Sequence, residues 1–481
     1  MNPVLVVSII GGYFLLLIII SWLTAGKADA KAFFTANRQS PWYLVAFGMI
    51  GATLSGVTFI SVPGWVGATE FNYMQMVLGY LIGYGFIALV LMPLYYKLNL
   101  VSIYQYLEHR FGPKAYRTGA FFFLLSRTIG AAFRLFLVAG VLQIAFFDHY
   151  GIPFSVSVLV TIVLIWVYTF RGGIKTIVWT DTLQTLFMLT AVGTSIIIIA
   201  DNLDLSLTAI PEVIRESNYG QWFVWEWSTK QNFFKQFFSG AFIAIVMTGL
   251  DQDMMQKNLT CKTLGEAQKN MYWFSITLVF IKMLFLTLGA LLFMYATQNS
   301  IVMPERADDL FPVLALNHLG TFAGITFLLG ITAAAYSSAD SALTALTTSF
   351  CVDFLGFTDE TDNRKLRTKV HLGFSVLLFF VILIFRLIND DSVISSVFTA
   401  AGYTYGPLLG LYSFGLFTKW SVIDKWVPLV ALSSPIVSFI LSTFSKELFF
   451  GYQFGFEILI INGLLTFIGL LIIREKKVNL I

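Results

Sequence analysis

Apolar residues along the chain come in runs of about twenty, with the polar residues gathered in short stretches between them. Runs of that length match the roughly 30 Å of hydrocarbon that a membrane helix must cross. They fall near residues 3–24, 42–63, 74–96, 118–147, 153–170, 174–200, 232–250, 271–298, 318–351, 370–388, 392–418, 426–445 and 452–473. The ten-residue alternation that a membrane barrel needs is absent. The pattern predicts an all-α polytopic membrane protein with 13 transmembrane helices. Its first run has no Lys or Arg before it, so it reads as a spanning helix and not as a signal peptide.

Composition agrees. Of 481 residues, 57% are hydrophobic, 16% aromatic and 12% charged, against about 25% charged in a soluble domain. The mean hydropathy is +0.78. Assigning loops alternately to the two sides sends 21 Lys and Arg to one side and 5 to the other. Cytoplasmic loops carry the excess of basic residues, which puts the N-terminus outside, the C-terminus in the cytoplasm and the protein in the cell inner (plasma) membrane. Arg127, Arg134, Lys235 and Lys282 are left over. Lys235 can snorkel from the outer end of segment 7, whereas the other three lie well inside their segments.

Several function classes drop out. Two cysteines, Cys261 and Cys351, are too few for a disulfide framework or a zinc site. No Walker motif supports transport driven directly by ATP, and scattered basic residues do not suggest nucleic acid. No soluble signalling or catalytic module is expected at either end, and no protein partner is evident.

Polar residues inside the bilayer are expensive and mark function by default. Segment 2 reads PWYLVAFGMIGATLSGVTFISVPGWVG, a density of small, polar and helix-breaking residues that predicts an interrupted helix. Freed carbonyls there can bind a cation, or the small residues can serve close helix packing. Segment 9 carries AAAYSSADSALTALTT, placing Ser337, Ser338, Asp340, Ser341 and Thr344 within two turns. Such hard oxygen ligands suit a hard cation. One helix cannot complete its shell, and the broken segment 2 is the natural donor of the rest. Asp181, near the inner end of segment 6, is either an interface acid or a counter-charge.

These stretches carry a resemblance. DAKAFFTANRQSPWYLVAFGMIGATLSGVTFISVPG, LVSIYQYLEHRFG, GGIKTIVWTDTLQ, GLDQDMMQKNL, AAAYSSADSAL and YGPLLGLYSFGLF resemble, in order, signatures of the sodium/solute symporter family. The resemblance implies a LeuT-type core of two inverted five-helix repeats, residues 42–200 and 232–418. Residues 1–24 would add a helix before the core, and residues 426–481 two helices and a short cytoplasmic tail after it. It also implies that the repeats begin with broken helices, near Gly51 and near Gly249. The implied principal sodium site falls on Gly51, Leu54, Ala334, Ser337 and Ser338. A second sodium would fall on Asp181, Ser338, Asp340 and Ser341, so one or two sodium ions are expected.

The implied function is sodium-coupled symport of a small organic solute by alternating access, with no enzymatic chemistry. A solute site near the midplane is expected to use Thr53, Ser55, Thr58, Gln75 and Tyr403. Arg127 and Arg134 lie seven residues apart on one face of segment 4. Either they bind an anionic, carboxylate-bearing solute, with Arg127 matching the family position better, or they pair with buried acids as structural glue. Lys282 is a weaker solute or structural candidate. A sugar, polyol or amino-acid symporter, a proton-coupled carrier and a non-transporting sensor are the other readings.

Overall fold

The computed structural model describes residues 3–24, 40–98, 100, 102–169, 174–357, 363–388 and 392–475, and of residues 3, 17, 20–24, 167–169, 174–181, 335–340 and 364 the helical backbone alone. Most of each apolar run is helical, and shorter helices, Gln105–Arg110, Ile210–Glu216 and Leu310–Asn317, lie between the runs, whose own helices are numbered α1 to α13. In chain order the helices are α1 (Pro3–Thr24), α2 (Trp42–Thr53 and Val57–Thr69), α3 (Tyr73–Lys97), α4 (Pro113–Tyr150), α5 (Phe154–Thr169) and α6 (Ile174–Asn202). They continue as α7 (Phe233–Gly249 and Gln252–Asn258), α8 (Leu264–Gln298), α9 (Gly320–Ser349), α10 (Arg364–Ile388), α11 (Val393–Thr404 and Gly406–Phe417), α12 (Val427–Thr443) and α13 (Ile458–Ile472). Among the described residues, six helices are long and apolar enough to cross a membrane, and up to eight if the bent pairs α2 and α7 each count as one span. The remaining runs carry shorter apolar helices.

Three helices, α4, α8 and α10, start earlier than hydropathy places them, because their first turns are polar and capped. α4 begins at Pro113, whose missing N–H costs nothing there. The Asp424 carboxylate accepts from Lys114 N (2.9 Å) and Ala115 N (2.8 Å), which satisfies orphan donors and complements the positive end of the helix. α8 begins at Leu264 because the Thr263 hydroxyl accepts from Glu266 N at 3.2 Å. Glu266, Lys269 and the rest of the LGEAQKN stretch are helix rather than loop.

Interhelical contact rests on small residues. A Cβ at Gly79 of α3 would overlap the Phe237 carbonyl of α7, and one at Gly240 of α7 would overlap the Met76 carbonyl of α3. Two glycines therefore let these backbones touch, the usual device where lipid offers no hydrophobic drive to associate. Gly330 of α9 faces the Phe59 ring of α2 and Ala191 of α6. Phe59 in turn joins Phe285, Phe311 and Phe327 in a buried aromatic cluster. A two-stranded pair, Ser421–Val422 against Arg474–Glu475, closes the end that carries the last helix.

Candidate functional site

The two bent helices organise the interior. α2 bends by 63° between Thr53 and Val57, and α7 by 74° between Gly249 and Gln252. At the first bend, Leu54 leaves helical geometry with φ −77° and ψ 68°, its N–H still bonded to Ile50 O. The Ser55 N–H, which in an unbroken helix would reach the Gly51 carbonyl, bonds Thr53 O instead at 2.9 Å. Gly51 therefore loses its axial donor, and the buried Thr53 Oγ1 has no partner among the described residues. Gly56 sits directly below, where a Cβ would lie 3.6–3.7 Å from Val138 Cγ2, the Arg134 carbonyl and Ile331 Cδ1. That position brings α2, α4 and α9 together.

On α9, Ala334 follows Ile331 by one turn and is fully buried. Ser341 is buried as well. The side chains of Ser337, Ser338, Asp340 and Asp181 lie outside the described residues.

At the second bend, hydroxyls from other helices take up the released carbonyls. Tyr95 OH of α3 donates to Gly249 O (2.8 Å) and Tyr104 OH to Leu250 O (3.0 Å). The Gln252 side chain accepts from Ile103 N at 2.8 Å, and Tyr412 of α11 donates to Ile103 O at 2.7 Å. Asp251 accepts from Met254 N (3.2 Å) and from Tyr405 OH (3.1 Å). This lattice ties the second half of α7 to α3, α11 and the segment after α3.

The same bend decides the fate of the two arginines. Arg127 Nη2 meets Asp253 Oδ2 at 2.5 Å, and Nη1 lies 3.7 Å from Asp251 Oδ2. All three side chains are buried, an arrangement that offsets desolvation only through such close pairing. In this structure Arg127 is paired with buried acids. Arg134 is half-buried and, among the described residues, makes no hydrogen bond or ion pair. It lines a cavity of about 30 Å³ together with Arg127, Met247, Asp251, Val397, Thr404 and Tyr405. That volume holds about two waters.

The other expected solute contacts disperse. Gln75 is fully buried, donating to Gln231 O (3.0 Å) and Asn72 O (3.2 Å) and accepting from Val224 N (3.0 Å). Its amide is committed to the loop before α7, where Trp222 stacks on Phe71, and not to the cavity. The Tyr403 ring lies against Phe439 of α12, and its neighbours Thr404 and Tyr405 line the cavity instead. Ser55 is buried within the α2 bend. Thr58 accepts from the buried Lys282 ammonium at 2.9 Å, which lies 5.8 Å from the Tyr73 ring centroid. Asp251, Thr404 and Tyr405 line the cavity and Asp253 pairs with Arg127, and sequence reasoning named none of the four. Their signal was present in GLDQDMM and in the residues preceding YGPLLG, but a boundary at residue 250 read the two acids as loop.

Known proteins resemble this chain in sequence and in fold. A family model described as the sodium:solute symporter family matches residues 33–422. The sodium/sialic acid symporter NanT of Aliivibrio fischeri is 25% identical over 457 residues, covering 92% of this chain and 88% of the relative. The sodium/sialic acid symporter SiaT of Proteus mirabilis is 22% identical, covering 95% and 94%. Among solved structures, a Na+-coupled sialic acid symporter in a substrate-bound outward-open state superposes with a TM-score of 0.78 at 20% identity. It covers 98% of this chain and 99% of its own, a likeness of fold.

Proposed function

The chain belongs to the sodium:solute symporter family and is a sodium-coupled transporter rather than an enzyme; on that premise we propose that its solute is a small carboxylate-bearing organic anion held by Arg134. One observation carries this reading. Both arginines on this face of α4 line the cavity, but Arg127 is paired with Asp251 and Asp253, while Arg134 makes no ion pair among the described residues. A guanidinium that closes on no carboxylate is costly at membrane depth, and a carboxylate matches its fork. The similar sialic acid symporters carry solutes of this charge. Thr404 and Tyr405 line the same cavity with hydroxyls, suited to a polyhydroxylated body.

The principal sodium lies between α2 and α9, on the carbonyls of Gly51, Leu54 and Ala334 and the hydroxyls of Ser337 and Ser338. The released Gly51 carbonyl and the approach of Gly56 to Ile331 support it. Because α9 repeats every 3.6 residues, positions 334 and 338 share the face of Ile331. A second sodium falls on Asp181, Ser338, Asp340 and Ser341. The core is a pair of inverted repeats, residues 42–200 and 232–418, each opening on a bent helix, within 13 spans whose N-terminus is outside.

Coupling follows as linkage. Sodium joins the α2 bend to α9 and so favours the cavity conformation that accepts solute. Rocking of the repeats then exposes the site inward, which requires the tyrosine lattice at the α7 bend to open. The membrane potential adds about 2.3 kcal/mol per charge per 100 mV. Uptake of carboxylated and neutral analogues by Arg134→Ala tests the reading.

A further inference from the structure

Between α8 and α9 the chain makes a short turn, Ala307–Asp309, outside the spanning segments. Its Asp308 is 3% exposed, an unusual burial for a loop carboxylate. Oδ1 accepts from Ser61 Oγ of α2 at 2.7 Å, and Oδ2 accepts from Val393 N at 2.8 Å, the first residue of α11. Ser61 Oγ accepts in turn from Ile394 N at 3.0 Å. One carboxylate and one hydroxyl thus cap α11 and bind it to the second half of α2. The approach is tight, because a Cβ on Gly64 would overlap the Ala307 carbonyl.

We propose that Asp308 and Ser61 form the outer latch of the transport cycle, a contact that must part whenever the cavity opens to the outside. The assignment rests on the alternating-access reading above. The latch joins the second half of α2 to the start of α11, and Val397, one turn along α11, lines the cavity beside Arg134. Separating α2 from α11 at residues 61 and 393 is therefore a direct way to uncover that cavity. The tyrosine lattice at the α7 bend guards the opposite end.

The latch is also sensitive to acid. Burial pushes the Asp308 carboxyl up to about 6, against hydrogen bonds from Ser61 and Val393 and the nearby Arg306 that pull it down. The charged groups around it are Arg306 and Asp309 of its own turn, with Asp148 and Arg386 acting on Asp309. α2 and α11 present the Ser61 hydroxyl and the Val393 N–H. In an opened gate the carboxyl meets water and returns toward 3.8. The closed form binds the proton more tightly, so acid favours closure. Between about pH 7.5 and about pH 5 the closed-to-open ratio rises about ten-fold.

The test reads gate opening without solute, so it fails independently of the solute assignment. In a Cys261→Ser, Cys351→Ser background, the Val397→Cys protein is labelled by a hydrophilic maleimide in lipid nanodiscs. The reference is Asp308→Asn, which keeps the side-chain shape without the charge. Its rate stays low and cancels the pH dependence of the thiol itself. Relative to that reference, the unaltered latch labels about ten-fold more slowly at about pH 5 than at about pH 7.5. Asp308→Ala, which removes both hydrogen bonds, labels at least about ten-fold faster than the unaltered latch at about pH 5. Ser61→Ala shifts the same way and decides the matter if Asp308→Ala does not fold. Equal rates for these variants and the intact latch at acid pH overturn the latch, and a ratio flat with pH overturns its acid sensitivity.

Discussion

Arg127 and Arg134 stand two turns apart on α4, yet only Arg127 meets a carboxylate among the described residues, closing on Asp253 at 2.5 Å. The difference comes from α7. Its 74° bend carries Asp251 and Asp253 back toward the first of the two arginines. Removing one partner of a buried pair leaves an uncompensated charge and costs about 3–5 kcal/mol. Arg127→Ala should therefore lower thermal stability sharply, while Arg127→Ala with Asp253→Asn recovers part of the loss. Melting curves in detergent check this. A single variant as stable as the parent removes the structural role given to Arg127.

Gln75 should behave as a loop anchor. Gln75→Ala leaves the Val224 N–H and the Gln231 carbonyl without their partner, a loss of about 1–3 kcal/mol. The expected result is faster proteolysis between residues 217 and 231, with solute affinity changed far less than in Arg134→Ala. Limited proteolysis beside a KM measurement separates the two. A rise in KM matching that of Arg134→Ala would return Gln75 to the solute site.

Close backbone contact between α3 and α7 leaves no room for a methyl group. Gly79→Ala and Gly240→Ala are expected to cost upwards of about 2 kcal/mol each, visible as lower melting temperatures and poorer yield. Gly85, which has nothing within 4 Å of a Cβ, is the control. Gly85→Ala should be neutral or slightly stabilising.

How much of this was legible in the sequence depended on distance along the chain. Twenty-residue apolar runs announce helices, because every backbone polar group in lipid must be satisfied within the segment. Clustered Gly, Ser and Pro in segment 2 likewise announced a bend, which the structure sets at residues 54–56, just beyond the expected Gly51. Arg127's partner was not legible, since Asp253 lies 126 residues away and hydropathy had already ended segment 7. Gln75 was equally opaque: its bonds reach Val224 and Gln231, in a loop with no periodicity of its own. The polar starts of α4 and α8 were misread because capping by Asp424 and Thr263 outweighs the hydropathy of a first turn.

Sodium dependence separates the duties proposed on α9. Ser338→Ala should abolish sodium-dependent uptake, since position 338 serves both ions. Asp340→Asn should mainly lower the sodium Hill coefficient. Sodium titrations of uptake in proteoliposomes check both, and normal transport by Ser338→Ala would contradict the α2–α9 site.

The central claim is that Arg134 holds the solute's carboxylate, and sodium-driven uptake into proteoliposomes tests it most directly. A carboxylated nine-carbon sugar acid is compared with its neutral amide in the parent protein and in Arg134→Ala. Loss of one charge-assisted hydrogen-bond pair is worth about 1.5–3 kcal/mol. The parent should therefore favour the acid by at least about ten-fold, and Arg134→Ala should abolish that preference while keeping its fold. Undiminished preference for the acid in a well-folded Arg134→Ala protein would contradict the account.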